Sequence, residues 1–166
     1  MGLNEDLEQV ALQERELRLP RFDAQVAWEL GTLLQNMAEA RELPVVIDVR
    51  RFGQPLFYAA MDGSTPDNPE WVRRKSNVVA RFHRSSYGVG LSLQAKNDSL
   101  EGRGLPVADY ATHGGSFPLV VDGAGIVGSV TVSGLPQRDD HELVVEALCE
   151  MLGREYEALR LDAEPQ

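Results

Sequence analysis

The sequence predicts an α/β protein of the α+β kind, an antiparallel sheet flanked by helices. Three observations lead there: two pairs of short strand-like segments are each joined by a glycine-bearing turn, helical segments separate the pairs, and an amphipathic helix closes each end. Strict strand–helix alternation, the mark of a parallel sheet, is missing.

Taken in order, residues 3–16 read as a helix with Leu3, Leu7 and Val10 on one face, followed by a short extended piece over Leu17 to Pro20. Asp23 suits the N-cap of a second helix over 24–42, striped by Val26, Leu30, Leu33, Leu34 and Met37. Within it Gly31 allows close packing, and Pro44 marks the stop. Val45 to Arg51 alternates, with Val45, Ile47 and Val49 on one face and Val46, Asp48 and Arg50 on the other. Phe52-Gly53-Gln54-Pro55 turns the chain into a second strand, Leu56 to Met61.

The run Thr65-Pro66-Asp67-Asn68-Pro69-Glu70 signals a helix start, with Asn68 as cap and Pro69 in the first helical position, and the helix extends to about Arg84. Ser85 to Asn97 holds a shorter helix, and Asp98 to Gly104 is a polar loop. Phe117 to Val121 and Ile126 to Ser133 form a hairpin through Asp122-Gly123-Ala124-Gly125. On its second strand Ile126, Val130 and Val132 face one way, and Ser129, Thr131 and Ser133 the other. Asp139 with Glu142 resembles a capping box for a last helix, which buries Val144, Ala147, Leu148, Met151 and Leu152. A polar tail is expected from about Arg160, and the 166 residues suit one domain, with the core at about 20–152.

With 43% hydrophobic residues the chain has material for a core that needs neither metal nor disulfide, and Cys149 is the sole cysteine. The first residues lack the basic and apolar regions of a secretory signal, and no apolar run reaches the ~18 residues of a membrane helix. A cytoplasmic location is the expectation. The formal net charge of −10 argues against nucleic acid or an anionic membrane as partner. The charges are segregated: Glu5, Asp6, Glu8, Glu14 and Glu16 crowd the N-terminal helix, whereas Arg73, Arg74, Lys75, Arg81 and Arg84 share one short stretch. Such segments pair within the chain or between subunits.

Three motifs imitate chemistry. Gly123-Ala-Gly125-Ile-Val-Gly128 fits G-x-G-x-x-G, but it enters a strand instead of a helix, so no amide cradle for a dinucleotide forms. His113-Gly114-Gly115-Ser116 resembles the oxyanion loop of a hydrolase, yet the G-x-S-x-G elbow such an enzyme needs does not occur. Its glycines read instead as a positive-φ approach to the strand. Asp139-Asp140-His141-Glu142 offers metal-ligating groups that neighbour one another on a helix start and converge poorly on one ion, so no metal is assigned. Cys149 borders an apolar stripe and reads as an inert core or interface thiol.

The basic helix is the most informative segment. At about 100° per residue from Trp71, the arginines 73, 74, 81 and 84 share a face opposite Val72, Val78, Val79 and Phe82. Lys75 falls at about 40°, inside the apolar arc. An ammonium there snorkels to solvent, pairs with a carboxylate, for which Asp48 is the candidate, or anchors an acidic ligand in a partly apolar slot. His83 borders the same arc.

Several blocks resemble the GlcG/HbpS-like haem-degrading domain family, and its branch of small uncharacterised intracellular proteins above all. They are Phe22-Asp23 with Ala27-Trp28-Glu29-Leu30-Gly31, Pro44 to Arg51, Ser64 to Asn68, Trp71 to Lys75, Arg81 to Ser86, His113 to Pro118, and Gly128 to Pro136 with Asp140-His141. The resemblance covers residues 20–152 and implies a profilin-like fold and a homo-oligomer, some relatives binding haem or assisting its degradation. No family haem ligand maps onto a residue of this sequence.

Two functional readings follow. In the first, the protein binds haem, a related tetrapyrrole or another small acidic ligand. His113 or His83 would then serve as axial ligand, Trp71 and Phe82 as apolar wall, and Lys75, Arg73 or Arg74 would meet carboxylates. In the second it is a non-catalytic homo-oligomeric scaffold or partner-binding protein whose acidic and basic segments are complementary subunit surfaces. Neither assigns a reaction.

Overall fold

Residues 2–163 are described by the computed structural model, and their first helix, α1 (Leu3–Glu16), has the bounds its periodicity predicts. After it Leu19 runs beside Val121, with Leu19 N–H donating to the Val120 carbonyl. Helix α2 (Ala24–Ala40) is capped by Asp23, whose carboxylate accepts from Val26 N–H at 2.9 Å. Gly31 lies where a Cβ would stand 2.2 Å from the Phe57 ring, so the absent side chain is what lets α2 settle onto the sheet.

Strands β1 (Val46–Arg51), β2 (Gln54–Ala60), β3 (Ser116–Val121) and β4 (Gly125–Ser133) form an antiparallel sheet in the order β2-β1-β4-β3. Its two faces differ in chemistry. Ile47, Val49, Val130, Val132 and Phe117 point into the main core, against α2 and α5 (Gln137–Leu152). The opposite face carries Asp48, Ser129 and Thr131, with Ser116 and Thr131 hydroxyls 2.8 Å apart, and is covered by α3 (Asp67–Phe82). Behind α3 lies α4 (Ser86–Ala95), capped by the Ser85 hydroxyl, and α1 packs against α4. Cys149 is buried in the main core, and burial pushes its thiol up to about 11, as expected of an inert residue.

Five local expectations need correction. The register shifts between Leu119 and Val120, so that Val127, and not Ile126, packs with the core cluster; a bulge reverses the alternation that simple counting assigns. Helix α3 begins two residues early, with Pro66 at its cap position, because Asn68 is engaged by the Thr65 N–H instead. Helix α5 likewise begins after Pro136; Glu142 accepts from Gln13 and Tyr156 and forms no capping box with Asp139. The stretch after Asp98 includes a short 3₁₀ turn at Glu101–Arg103. Finally, the segment after α5 is not a free polar tail: α6 (Tyr156–Leu159) follows, Leu159 and Leu161 are buried, and the Asp162 carbonyl accepts from Arg138.

Candidate functional site

The feature that organises the site is Lys75. As the apolar arc requires, its side chain turns inward on α3 and is only 3% exposed. Its partner is not Asp48. That carboxylate is fully buried two residues from Arg50 on the same strand face, and the guanidinium holds it with bonds of 2.7 and 2.9 Å. Lys75 Nζ donates instead to Asp140 Oδ2 at 3.0 Å and to the Val132 carbonyl at 3.2 Å.

Asp140 sits in the first turn of α5 but turns back over the end of β4. Its Oδ1 accepts from Leu135 N–H at 2.9 Å, and Oδ2 from Gly134 N–H at 3.3 Å. The carboxylate therefore fastens three things together: α3, the exit of β4, and the start of α5. Burial raises the Asp140 pKa to about 6 against the opposing pull of the ammonium, and burial lowers that of Lys75.

The approach of the chain to β3 is shaped around this pair. Gly115 has φ of 137°, and a Cβ there would lie 2.2 Å from the Val132 carbonyl oxygen and 2.8 Å from Lys75 Nζ. At Gly114 a Cβ would lie 2.4 Å from the Gln137 carbonyl oxygen. The glycines of the His113-Gly-Gly-Ser116 motif thus make room for an ammonium and a helix start, and the positive φ expected of them is present at Gly115.

Beside the ion pair opens a cavity of about 250 Å³, lined by Trp71, Lys75, His113, Ser133, Leu135 and Asp140, with Asn68 and Gln137 at its sides. His113 is exposed on the rim and meets Trp71 edge-on, with ring centroids 4.9 Å apart. It also borders two further clefts, of about 320 and 330 Å³. Burial, then the Lys75 and Arg74 charges, lower its pKa, so the imidazole is neutral near pH 7. The Arg74 guanidinium lies 4.6 Å over the Trp71 ring and donates to the Val107 carbonyl.

Of the six residues singled out in the sequence, Lys75, Trp71, His113 and Arg74 come together here. Arg73 is elsewhere, tied to Glu70, Asp109 and the Ala108 carbonyl. His83 ends α3 in the left-handed conformation, with φ of 58°, and stacks on Phe52 at 6.1 Å. Asn68, Ser133, Gly134, Leu135, Gln137 and Asp140 line the cavity without being among those six. Asp140 and Asn68 carry the signature of helix-start residues, and Gln137 carries no signal at all; Asp140 and Gln137 are each more than sixty residues from Lys75 in sequence.

The other groups of the Asp139-Asp140-His141-Glu142 run point away from this cavity. His141 is fully buried between Tyr87 and Phe117, with Nε2 2.7 Å from Gln13 Oε1. Among the described residues no three His, Cys, Asp or Glu side chains cluster to hold a metal ion, and no helix is long and apolar enough to cross a membrane.

Comparison with known proteins agrees with this architecture. A UPF0303 protein of Burkholderia thailandensis is 61% identical over 162 residues, covering 97% of this chain and 98% of that one. A UPF0303 protein of Acidobacterium capsulatum is 60% identical with the same coverage. Among solved structures, the Ybr137w protein is similar with a TM-score of 0.80 at 31% identity, over 89% of this chain and 87% of that one. HbpS shares the fold with a TM-score of 0.64 at 20% identity, over 82% and 94%. A PduOC:Heme complex shares it at 0.62 and 19% identity, over 73% and 88%. Residues 22–149 match the family described as Haem degrading protein HbpS-like, and the chain belongs to that family.

Proposed function

We propose that this protein binds a tetrapyrrole of the haem class at the clefts that meet on His113. The observation that carries this reading is the surroundings of that one side chain. A neutral imidazole, the ligating form, stands on the rim of three adjoining clefts, edge-on to an indole and close to two cations.

The residues present suit such a group. His113 would approach the iron, Trp71 supplies apolar wall, and Arg74 stands ready for a propionate. His83 and Arg73 lie outside this arrangement and have no part in it. Bound haem would bring an iron centre able to take ligands or electrons; the chain's share is to hold and orient it. Membership of a family described as haem degrading and the likeness to a haem complex support the same reading.

Titration of the purified protein with hemin tests it. A saturable Soret shift is expected, weakened in His113→Ala, which removes no side-chain hydrogen bond among the described residues. A flat titration overturns the reading.

A second reading, a homo-oligomeric scaffold, has one observation in its favour: edge strand β2 carries Tyr58 at 49% exposure, and neighbouring Trp28 is 63% exposed. The segregated charges favour it less, since Arg73 and Lys75 pair within the chain. Light scattering after size exclusion, in low and high salt, decides; a monomer in both conditions excludes the scaffold.

A further inference from the structure

The walls of the Lys75 cavity carry an imbalance between donors and acceptors that no ligation of iron by His113 uses. Both oxygens of Asp140 are occupied, by two backbone N–H groups and the ammonium. The side-chain oxygen Oδ1 of Asn68 accepts from Thr65 N–H at 2.9 Å, and Oε1 of Gln137 from Gly114 N–H at 3.1 Å. These bonds fix which way round each amide sits. Each is left with its NH₂ group, a pure donor, without an acceptor among the described residues.

Lys75 adds to the imbalance. A protonated lysine has three N–H donors, and two acceptors are present, Asp140 and the Val132 carbonyl. The Ser133 hydroxyl, on a residue only 3% exposed, likewise lines the cavity without a protein partner among the described residues. The cavity therefore presents unused donors in the two amides and the ammonium, beside the Ser133 hydroxyl and the neutral His113 ring, which can each donate or accept.

Its side-chain charges nearly balance. Lys75 and Asp140 together sum to no net charge, and Arg74 over Trp71 opposes Asp67, whose carboxylate accepts from the Trp71 N–H at 3.0 Å; the helix ends add to this. Asn68 stands at the start of α3 and Gln137 is the first residue of α5, where backbone dipoles are positive. Trp71 and Leu135 supply the apolar remainder. At about 250 Å³ the space lies below the roughly 300–1,000 Å³ of sites for drug-sized ligands.

We propose that this cavity is a binding site for the carboxylate of a small organic acid with a short apolar body, received by the Asn68 and Gln137 amides and the free N–H of Lys75. The site does not depend on the tetrapyrrole reading. A free acid and a carboxylate arm of a larger ligand share this chemistry, and the test separates them.

Trp71 is the reporter. In a Trp28→Phe background, where it is the only tryptophan, its fluorescence is followed against straight-chain monocarboxylates from acetate to hexanoate, with the corresponding primary amides as neutral controls. A saturable change with the acids, at least tenfold weaker with the amides, is expected. Gln137→Glu and Asn68→Asp keep the oxygens that hold Gly114 and Thr65 but exchange each NH₂ for a charged oxygen; each is expected to weaken the acids at least tenfold.

No saturable change with any acid, amides bound as tightly as acids, or acids bound equally by both variants would each overturn the proposal. Competition by hemin, but not by its dimethyl ester, would show that a propionate can enter the same site; absence of competition leaves the free acid as the ligand. The Soret titration reports on His113 and this one on Asn68 and Gln137, so either reading can fail without the other.

Discussion

Adjacent residues on one helix, Asp140 and His141, enter two buried polar clusters with opposite characters. Asp140 joins Lys75 at the edge of a cavity, and the pair is held by backbone groups on every side. His141 enters a cluster sealed at its centre, where it and Gln13 are fully buried: Gln13 bridges it to Glu142 at 3.0 Å and to the Leu159 carbonyl at 2.8 Å, and Tyr156 meets Glu142 at 2.6 Å at the border of a separate cleft. The sealed cluster ties α1, α5 and α6 together with one idle atom, the buried His141 Nδ1. Because Gln13 uses its NH₂ on Glu142 and Leu159, its oxygen accepts from His141 Nε2–H, and Nδ1 carries only a lone pair. In the open cluster the spare valences, the third N–H of Lys75 among them, face a void; in the sealed one the spare valence is an acceptor facing nothing. The first can serve a ligand, and the second serves the fold.

The largest expected effect strikes the open cluster. Asp140→Ala leaves an ammonium buried without its counter-charge and should cost about 3–5 kcal/mol in urea unfolding at pH 7. Lys75→Met combined with Asp140→Leu should recover only part of that loss, since the Gly134 and Leu135 N–H groups lose their acceptor. A loss below about 1 kcal/mol for Asp140→Ala would mean that the ammonium escapes to solvent and that the two clusters do not differ in this way.

Acid distinguishes the clusters next. Burial, helped by the Arg138 charge, lowers the His141 pKa to about 3, well below its ordinary value of 6.5. The unfolded chain takes up this proton first, so the stability contributed by neutral His141 is complete above pH 6.5 and declines as pH falls toward 3, by at most on the order of 4 kcal/mol. Asp140 works in the opposite sense. Its folded carboxyl holds a proton up to about pH 6 while the unfolded one releases it near 3.8, so its contribution declines as pH rises through that window. Melting temperature measured from pH 7 to pH 4 should fall less steeply in His141→Gln and more steeply in Asp140→Asn. Parallel curves for the three proteins would contradict both assignments.

The smallest effect sharpens the contrast. His113 is exposed on the cavity rim, and its ring meets the Trp71 ring edge-on. His113→Ala should therefore change unfolding free energy by less than about 1 kcal/mol, as loss of one aromatic pair implies. A larger loss would make the rim part of the fold's support and weaken any binding experiment that uses this variant.

Much of this was legible in sequence where a rule is local. Period-3.6 counting placed Lys75 on the buried side of α3, and period-2 counting separated the Val and Ile face of the sheet from its Ser and Thr face. The partner of Lys75 was not legible, because the pair is closed across 65 residues by the path of β4 into α5. Local rules offer Asp140 the role of a helix-start acid or of one metal-ligating group in a run, neither of which points to Lys75. Asp48 is excluded by a local rule: Arg50, two residues on and therefore on the same strand face, is the cation within its reach. Ile126 was misplaced because one extra residue in the hairpin is silent in composition yet reverses every side chain before it.

Gly115 carries a consequence for reading relatives of this chain. With no side chain there, main-chain atoms and a lysine tip share a space that even one methyl would claim. Alanine at this point is incompatible with an inward lysine at 75 unless the preceding loop is rerouted. A pair of aligned letters, one glycine and one lysine, thus sorts chains that keep this chamber from those that have filled it.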